Sequence, residues 1–265
     1  MQSRDLAIFI NSTDNFSDCW NPFFTLLEKY WPEYTGRIYL NTENYQYYLK
    51  DKNLKVINNE GNDREWSECL LRGLNQVNEC NILYLQEDYF IKKKVNDKKI
   101  QKYYNIFKEG NFDCLQLTSF NTNGPFIENT CFSETWEISV KAKFRISTQP
   151  AIWKKESLIN LLRKWENGWQ FEKFANIRAR KLPLKIMNVN KNVLSENGEI
   201  FPYVSTGIMH GKWILEVKDV FQNEGISINY NKRGFFEYRK KPSFLKKIHK
   251  RIIHLPAIIK SYIFS

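Results

Sequence analysis

Short apolar runs that alternate with helical patterns in the first half of the chain most constrain its fold. Four runs have the length and composition of buried strands: 6–10, 37–40, 54–57 and 81–85. Apolar residues at helical spacing lie between them, at 23–30 and 65–77. Strands that alternate with helices at this spacing form a mainly parallel sheet with helices on both faces. We therefore predict an α/β fold with a Rossmann-like, mostly parallel central sheet.

The second half of the chain is less regular. A helix is predicted at 100–107, a strand at 113–118, and further helices at 156–165 and 171–180. The region 184–213 is mixed strand and loop. If the first half binds a nucleotide, this uneven half would carry the acceptor side of a site.

The charge of the chain is concentrated near its C-terminus. The net charge is +11, and residues 239–265 contain eight Lys or Arg and no Asp or Glu. Without that segment, 32 basic residues face 29 acidic ones, so the body is nearly balanced. Because the cations of the segment alternate with Ile, Leu and Phe, we favour a membrane surface over nucleic acid as its partner.

Two adjacent carboxylates follow the fourth apolar run, in the stretch 83–90 (LYLQEDYF). Ligands bind beyond the carboxyl ends of strands in open α/β sheets, so Glu87 and Asp88 are expected at such a site. Carboxylates there can hold a divalent cation, which would neutralise a departing diphosphate. The alternative is an ordinary strand-end turn with two solvated acids, and the bare residues leave both open.

Several segments together resemble one family, the bacterial GT-A glycosyltransferases of surface-polysaccharide assembly (lipopolysaccharide, capsule and O-antigen). The match covers roughly residues 5–215 in these short pieces: 18–24 with 29–32, 37–43, 66–71 with 84–90, 149–153, 169–172 and 211–213. The resemblance implies a GT-A-like fold and transfer of a sugar from a nucleotide-sugar to a glycan or lipid-linked glycan. It also implies one catalytic domain at 1–238, with its nucleotide part at about 1–120 and its acceptor part at about 121–238.

The resemblance further implies a donor site at the strand ends. Asp88 would face the diphosphate and a Mn²⁺ or Mg²⁺ ion, with Glu87 beside it. The family's acidic motif has Asp at both outer positions, whereas Gln86 stands at the first of them here, which puts strict metal dependence in doubt. The remaining donor contacts implied by the resemblance are Asn11, Ser12, Thr13, Arg64 and Trp66.

A second cluster at 165–172 (WENGWQFE) supplies the candidate base. The resemblance implies that Glu172 removes the proton of the acceptor hydroxyl, with inversion at the sugar. Trp169 and Phe171 would offer faces for a sugar ring and raise the pKa of the acid by desolvation. Glu166 is the alternative base. The other interpretation is an amphipathic helix whose aromatic residues lie in the core.

Four more residues are assigned by the same resemblance. His210 would add a metal or diphosphate contact, and Lys212 would balance diphosphate charge. Gln149 and Trp153 would belong to the acceptor cleft. A structural His and a Pro-bounded loop are the alternatives for His210 and Gln149.

The segment 239–265 is predicted to form a basic amphipathic helix. Its apolar residues recur at steps of three or four, at Phe244, Ile248, Ile252, Leu255 and Ile259. We expect it to hold the protein on the inner face of the cytoplasmic membrane as a peripheral, cytoplasmic enzyme. A helix packed on the body is the alternative. A sugar- or nucleotide-binding domain without activity and a basic nucleic-acid-binding module are the competing functions.

Overall fold

The computed structural model describes residues 5–50, 53–61, 65–118 and 124–237, together with Pro256 and Ile259. The strands are β1 Leu6–Asn11, β2 Ile38–Thr42, β3 Leu54–Asn58, β4 Asn81–Gln86, β5 Cys114–Gln116, β6 Phe126–Glu128, β7 Thr135–Ile138, β8 Ala151–Lys154, β9 Ile186–Val189, β10 Ile208–Met209 and β11 Lys212–Trp213. The helices are α1 Trp20–Tyr30, α2 Trp66–Leu74, α3 Asp97–Glu109, α4 Lys155–Leu161, α5 Gly168–Ala179, α6 Lys191–Asn197 and α7 Leu215–Asn223.

Nine strands form one central sheet in the order β3-β2-β1-β4-β8-β5-β9-β7-β6. All of them run in the same direction except β7 and β8, which are antiparallel to their neighbours. Strands β10 and β11 form a separate hairpin. The prediction of an α/β fold with a mostly parallel sheet between helices is therefore confirmed.

The register of the parallel strands brings polar residues to one level at the carboxyl edge of the sheet. Asn11 of β1 pairs with Asn41 of β2 on one side and with Gln86 of β4 on the other. Every residue of β1 is buried, as expected for a central strand covered on both faces. This level is where the candidate site begins.

Helices cover the two faces of the sheet and form two apolar layers. One layer contains residues of α1, α3 and α7 with the inward side chains of β1 and β4, such as Ile8 and Leu83. The other contains residues of α2, α4 and α5 against Phe9 and Tyr84. Alternate residues of each central strand therefore serve opposite layers.

The structure departs from the sequence expectation around residue 162. The predicted helix at 156–165 ends at Leu161, because Leu162 takes an extended conformation with ψ 147°. The following turn carries Glu166 into the interior, where it is fully buried. Within the described ranges, no helix is long and apolar enough to cross a membrane. The predicted helix at 239–265 lies outside those ranges, apart from Pro256 and Ile259.

Candidate active site

The loop after β1 is held firmly beside the sheet edge. Ser12 is 3% exposed, and its Oγ accepts a hydrogen bond of 2.7 Å from the Trp20 indole. Thr13 precedes a 3-10 helix, Asp14–Cys19. Asp14 accepts hydrogen bonds from the backbone N–H groups of three residues after β2: Glu43, Asn44 and Tyr45. The two loops beside the site are therefore tied together by a residue that the sequence analysis did not single out.

A chain of amides joins the carboxyl ends of the first three strands. Asn59 donates to Asn41 Oδ1 at 2.7 Å, and Asn41 donates to Asn11 Oδ1 at 2.9 Å. Asn41 Nδ2 also contacts the carbonyl of Cys69 in α2 at 3.2 Å. The resemblance implies a nucleotide contact for Asn11, but its side-chain oxygen accepts a hydrogen bond from Asn41 inside the protein. Its structural role is to align β1 with β2, and a nucleotide contact by its amide stays a prediction.

Asp88 lies at the end of β4 under a backbone turn. Its Oδ2 accepts three hydrogen bonds, from Thr206 Oγ1 at 2.9 Å, Gly207 N at 3.0 Å and Ile208 N at 3.1 Å. Its Oδ1 is buried and has no partner among the described residues. Burial raises the pKa of Asp88, although these three donors act in the opposite direction. One oxygen is thus fixed by the fold and the other remains unused.

Glu87 lies in an acidic neighbourhood that contains one arginine. Burial, followed by the charge of Asp88, raises the pKa of Glu87 well above its usual range, while Arg233 acts to lower it. Arg233 forms a two-point ion pair with Asp18, with distances of 2.8 Å to Oδ2 and 2.5 Å to Oδ1. Its guanidinium also lies 4.7 Å from the centre of the Phe16 ring. No local sequence pattern indicates this cation, because Arg233 and Asp18 are far apart along the chain.

Glu172 is positioned by the start of α5 and by one neighbouring threonine. Asn167 caps α5 through a reciprocal pair of hydrogen bonds with Gln170, which fixes the first turn. Glu172 Oε1 accepts from Thr148 N at 2.8 Å and from Thr148 Oγ1 at 2.9 Å. In the described part of the chain, Oε2 receives no hydrogen bond. Burial raises the pKa of Glu172 despite the two bonds from Thr148, so this carboxylate is a stronger base than an exposed one.

Two tyrosines connect the acidic strand end to Glu172. Tyr84 of β4 is buried, and the charges of both Glu87 and Glu172 contribute to raising its pKa, after burial as the main cause. Tyr89 donates a hydrogen bond of 2.9 Å to the carbonyl of Thr148, the residue that holds Glu172. The structure therefore brings Asp88 and Glu172 to the same edge of the sheet, 84 positions apart in the sequence.

Gln149 and Trp153, both predicted in the acceptor cleft, are buried. Gln149 donates to the Tyr89 hydroxyl at 3.3 Å and accepts from the Tyr203 hydroxyl, so both ends of its amide are engaged. Trp153 is 1% exposed and packs in the layer beneath α2 and α4. Trp153 nevertheless lines a small crevice together with Trp66, Tyr84 and Thr148. A contact of Gln149 or Trp153 with an acceptor stays a prediction.

Trp66 lies where a cleft residue is expected. It is half-buried at the first position of α2, and its ring centre is 5.5 Å from that of Phe171 in α5. With Tyr84 and Thr148 it lines a small crevice beside Glu172. Arg64, the other residue assigned to this helix start, lies outside the described residues.

Glu166, the alternative base, is committed to another role. It is fully buried and forms a two-point ion pair with Arg178, with both distances at 2.6 Å. Arg178 also donates to the carbonyl of Leu161. A carboxylate held in this way has no surface for an acceptor, which leaves Glu172 as the candidate base.

The β10–β11 hairpin places His210 and Lys212 at the surface. Both are exposed. The His210 ring stacks on Trp169 at a centre-to-centre distance of 6.4 Å and an interplanar angle of 18°. Trp169 itself is 72% exposed, so it is not a core residue. The resemblance implies a metal or diphosphate contact for His210 and an acceptor contact for Trp169; the structure places the two rings in contact with each other, and both roles stay predictions.

The donor atoms fit a divalent cation only in part. Among the described residues, no group of three or more His, Cys, Asp or Glu is placed to hold a metal ion. The unpartnered Asp88 Oδ1 is nevertheless a suitable single ligand. Mg²⁺ is commonly held by one or two carboxylates together with substrate phosphates and water. The residues present therefore fit an ion carried mainly by a bound diphosphate, and they do not fit a cage built by the protein alone.

Comparisons with known proteins gave matches only at the level of three-dimensional structure. No protein-family model and no curated protein sequence matches the chain. The structure is similar to a crystal structure of S. aureus TarS 1–349, with a TM-score of 0.49 and 13% identity over 75% of this chain. The longer S. aureus TarS gives a TM-score of 0.47 with 13% identity over 86% of this chain and 41% of its own. TarS 1–349 in complex with UDP-GlcNAc gives 0.43 with 15% identity over 64% of this chain and 52% of its own.

This chain spans 59% of the length of the first of these neighbours. Similarity at this level does not assign an activity to it.

Proposed function

We propose that this protein is a glycosyltransferase that moves a sugar from a nucleotide-sugar to a hydroxyl of a glycan or lipid-linked glycan, with inversion. The observation that carries the proposal is the pair of carboxylates Asp88 and Glu172 at one sheet edge. Each has one oxygen held by backbone N–H and hydroxyl donors. Asp88 Oδ1 is buried without a partner among the described residues, and none of the hydrogen bonds of Glu172 there involves Oε2. Tyr89 and Thr148 link the two acids through hydrogen bonds. The resemblance of the sequence to GT-A glycosyltransferases supports the same assignment.

In this proposal Glu172 acts as the general base. Its Oε2 takes the proton of the acceptor hydroxyl while the oxygen of that hydroxyl attacks the anomeric carbon of the donor. The bond from that carbon to the diphosphate breaks at the same time, and its electron pair leaves with the diphosphate. Because burial raises the pKa of Glu172, its carboxylate binds a proton more strongly than an exposed one would.

The leaving diphosphate gains negative charge and needs stabilisation on the opposite side. A Mn²⁺ or Mg²⁺ ion, when bound, would neutralise that charge as a Lewis acid. Asp88 Oδ1 is the protein oxygen that we propose as its ligand, and Gly207 and Ile208 keep this carboxylate in place. After burial, the charge of Asp88 is the next cause that raises the pKa of the neighbouring Glu87.

The acceptor and the location of the enzyme belong to the same proposal. A lipid-linked acceptor would account for a basic amphipathic segment at 239–265, which we propose associates with the inner face of the cytoplasmic membrane. A surface polysaccharide is the product class that the sequence resemblance supports. The donor is proposed only as a nucleotide-sugar, with the sugar and the base left open.

A binding domain without activity is the second candidate, because Gln86 replaces an acid of the family pattern. A thermal-shift screen of nucleoside diphosphates and their sugars, with and without Mn²⁺, would identify the donor. Release of nucleoside diphosphate in the presence of alkyl glycosides would then separate transfer from binding. Donor binding without any such release would support the binding domain.

Substitution of the two acids gives the decisive test. We expect Glu172→Gln to keep donor binding and to lower transfer at least ~100-fold, the usual scale of general-base catalysis. Asp88→Asn keeps an acceptor for the three donors that hold Oδ2, so we expect it to fold and to lose transfer. The matched control is Glu216→Gln on the exposed face of α7, which should be neutral. Near wild-type turnover in Glu172→Gln would remove it as the base.

A further inference from the structure

Three rings form a stack at the edge of the candidate site. Trp169 lies nearly parallel to His210, and His210 contacts Phe236 at a centre-to-centre distance of 5.8 Å and an angle of 34°. Although one face of Trp169 is covered by the imidazole, 72% of the residue remains exposed. The stack therefore presents an aromatic surface to solvent and contributes little to the core.

The backbone fixes His210 in this position. His210 and Gly211 form the two-residue turn between β10 and β11, with φ values of 51° and 79°. Two successive positive φ values are the mark of a type I′ turn, and His is among the few residues other than Gly that enter this region readily. Phe236, on the other side, donates its N–H to the carbonyl of Trp213 at 2.7 Å. The turn that carries His210 and the Phe236 ring beside it are thus both anchored to the same hairpin.

The stack connects the two acids of the site. Trp169 and Glu172 are three residues apart in α5, so their side chains lie on the same face of the helix. The hairpin begins at Ile208, whose N–H holds Asp88 Oδ2. A contact between Trp169 and His210 therefore bridges the helix that carries the base and the turn that covers Asp88.

We infer that His210 is a positioning residue: it holds the Trp169 indole as a wall on which the acceptor sugar ring stacks, one helical turn from Glu172. This inference rests on the proposed glycosyltransferase function. Aromatic faces bind the apolar face of a sugar ring, and a ring supported on its other side loses less freedom when a ligand binds. The role differs from that of a metal ligand, because it needs the flat ring and not the imidazole nitrogen.

Two substitutions separate these roles. His210→Asn keeps the turn, since Asn-Gly is strongly preferred in type I′ turns, but removes the ring. His210→Tyr keeps a flat ring and removes the imidazole; Phe144, with φ 57°, shows that an aromatic residue can adopt this conformation in the chain. With the alkyl glycoside that the wild type glycosylates best, we expect His210→Asn to raise KM for that glycoside about five- to tenfold, the scale of an aromatic pair. Its kcat and donor KM should stay within twofold, and His210→Tyr should restore the glycoside KM.

A measurement that needs no turnover tests the stack itself. The full chain labelled with 5-fluorotryptophan has eight Trp residues, and Trp169→Phe identifies the ¹⁹F line of Trp169. We expect that line to move in His210→Asn, and we expect the wild-type line to shift when methyl glycosides of common hexoses are added.

If no glycoside moves the line, the inference fails even if transfer is found. If the line responds but no nucleotide-sugar supports transfer, the proposed function fails and the sugar-binding wall remains. Equal losses in both His210 variants, with weaker donor or Mn²⁺ binding, would overturn the positioning role in favour of a ligand role.

Discussion

Thr148 acts to lower the proton affinity of the candidate base through two hydrogen bonds to the same oxygen. Its backbone N–H and its hydroxyl both donate to Glu172 Oε1. Donors to a carboxylate stabilise the charged form and lower its pKa, whereas burial raises the pKa and is the larger effect here. The pKa of Glu172 therefore depends on a balance between burial and hydrogen bonding, and the loss of a single hydroxyl can shift it.

Thr148→Val removes only the hydroxyl and keeps the shape of the side chain. With one fewer donor, the pKa of Glu172 should rise further, since burial then acts with less opposition. A base must be deprotonated to act, so the acidic limb of the kcat profile should move to higher pH in Thr148→Val. Thr148→Ser retains the hydroxyl and should leave the limb where it is. An unchanged limb in Thr148→Val would mean that another group governs it.

At the scale of single elements, α2 is fitted to the amide chain through one glycine. A Cβ on Gly73 would lie 2.2 Å from Asn41 Oδ1 and 2.6 Å from Asn41 Cγ. Asn41 is fully buried and bonded to Asn11, Asn59 and the carbonyl of Cys69, so it has little freedom to move aside. The close approach of α2 to the strand ends thus depends on the absence of a side chain at residue 73.

Gly73→Ala should therefore destabilise the protein, although Ala favours helices over Gly by up to about 1 kcal/mol. We expect a loss of about 1–3 kcal/mol in the free energy of unfolding, the scale of leaving buried polar groups without partners. In an Asn41→Ala background the obstructing atoms are absent, so the same change should be neutral or stabilising. Urea denaturation of the four proteins gives the coupling between the two positions. Additive effects would show that the clash is relieved in another way.

The predictability of each element follows the range of its interactions. Strands β1 to β4 and helices α1 and α2 were recognisable because their apolar patterns are local and strong. Strand β6, which is exposed, and strand β7, a short strand near the sheet edge, have no comparable pattern that would predict them. The early end of α4 allows Glu166 to be buried against Arg178, which lies twelve residues further along the chain. A local pattern does not predict such a contact.

The candidate site divides in the same way. Asp88 and Glu172 could be selected from the sequence because each follows a recognisable local unit and a family resemblance named it. The partners that define their chemistry could not be selected: Thr206 is 118 residues from Asp88, and Thr148 is 24 residues from Glu172. The sequence around Trp153, three residues after Pro150, is equally compatible with a cleft and with a core strand. In the structure Trp153 is buried in the layer beneath α2 and α4, where it also lines the crevice beside Glu172.

At the scale of the whole molecule, charge is distributed unevenly between the body and the C-terminal segment. The body carries 32 basic and 29 acidic residues, while residues 239–265 carry eight cations and no acid. Exposed charges on the body are in part compensated, as in the pairs Lys92–Glu216 and Lys94–Glu33. An anionic surface would therefore be attracted mainly to the C-terminal segment.

Neutralising Lys246, Lys247, Lys250 and Arg251 together in the full chain, each to Gln, tests this membrane association. Each cation near an anionic membrane contributes about 1 kcal/mol, so co-sedimentation with phosphatidylserine-containing vesicles should weaken at least ~100-fold. The same substitutions at four exposed lysines of the body, Lys98, Lys141, Lys143 and Lys164, change the net charge equally. We expect that matched variant to bind almost as the wild type does.

Wild-type binding should also weaken with added salt, because screening acts on exposed charges. If both quadruple variants lose binding to the same extent, the net charge of the molecule drives the association, and the proposed role of residues 239–265 is wrong.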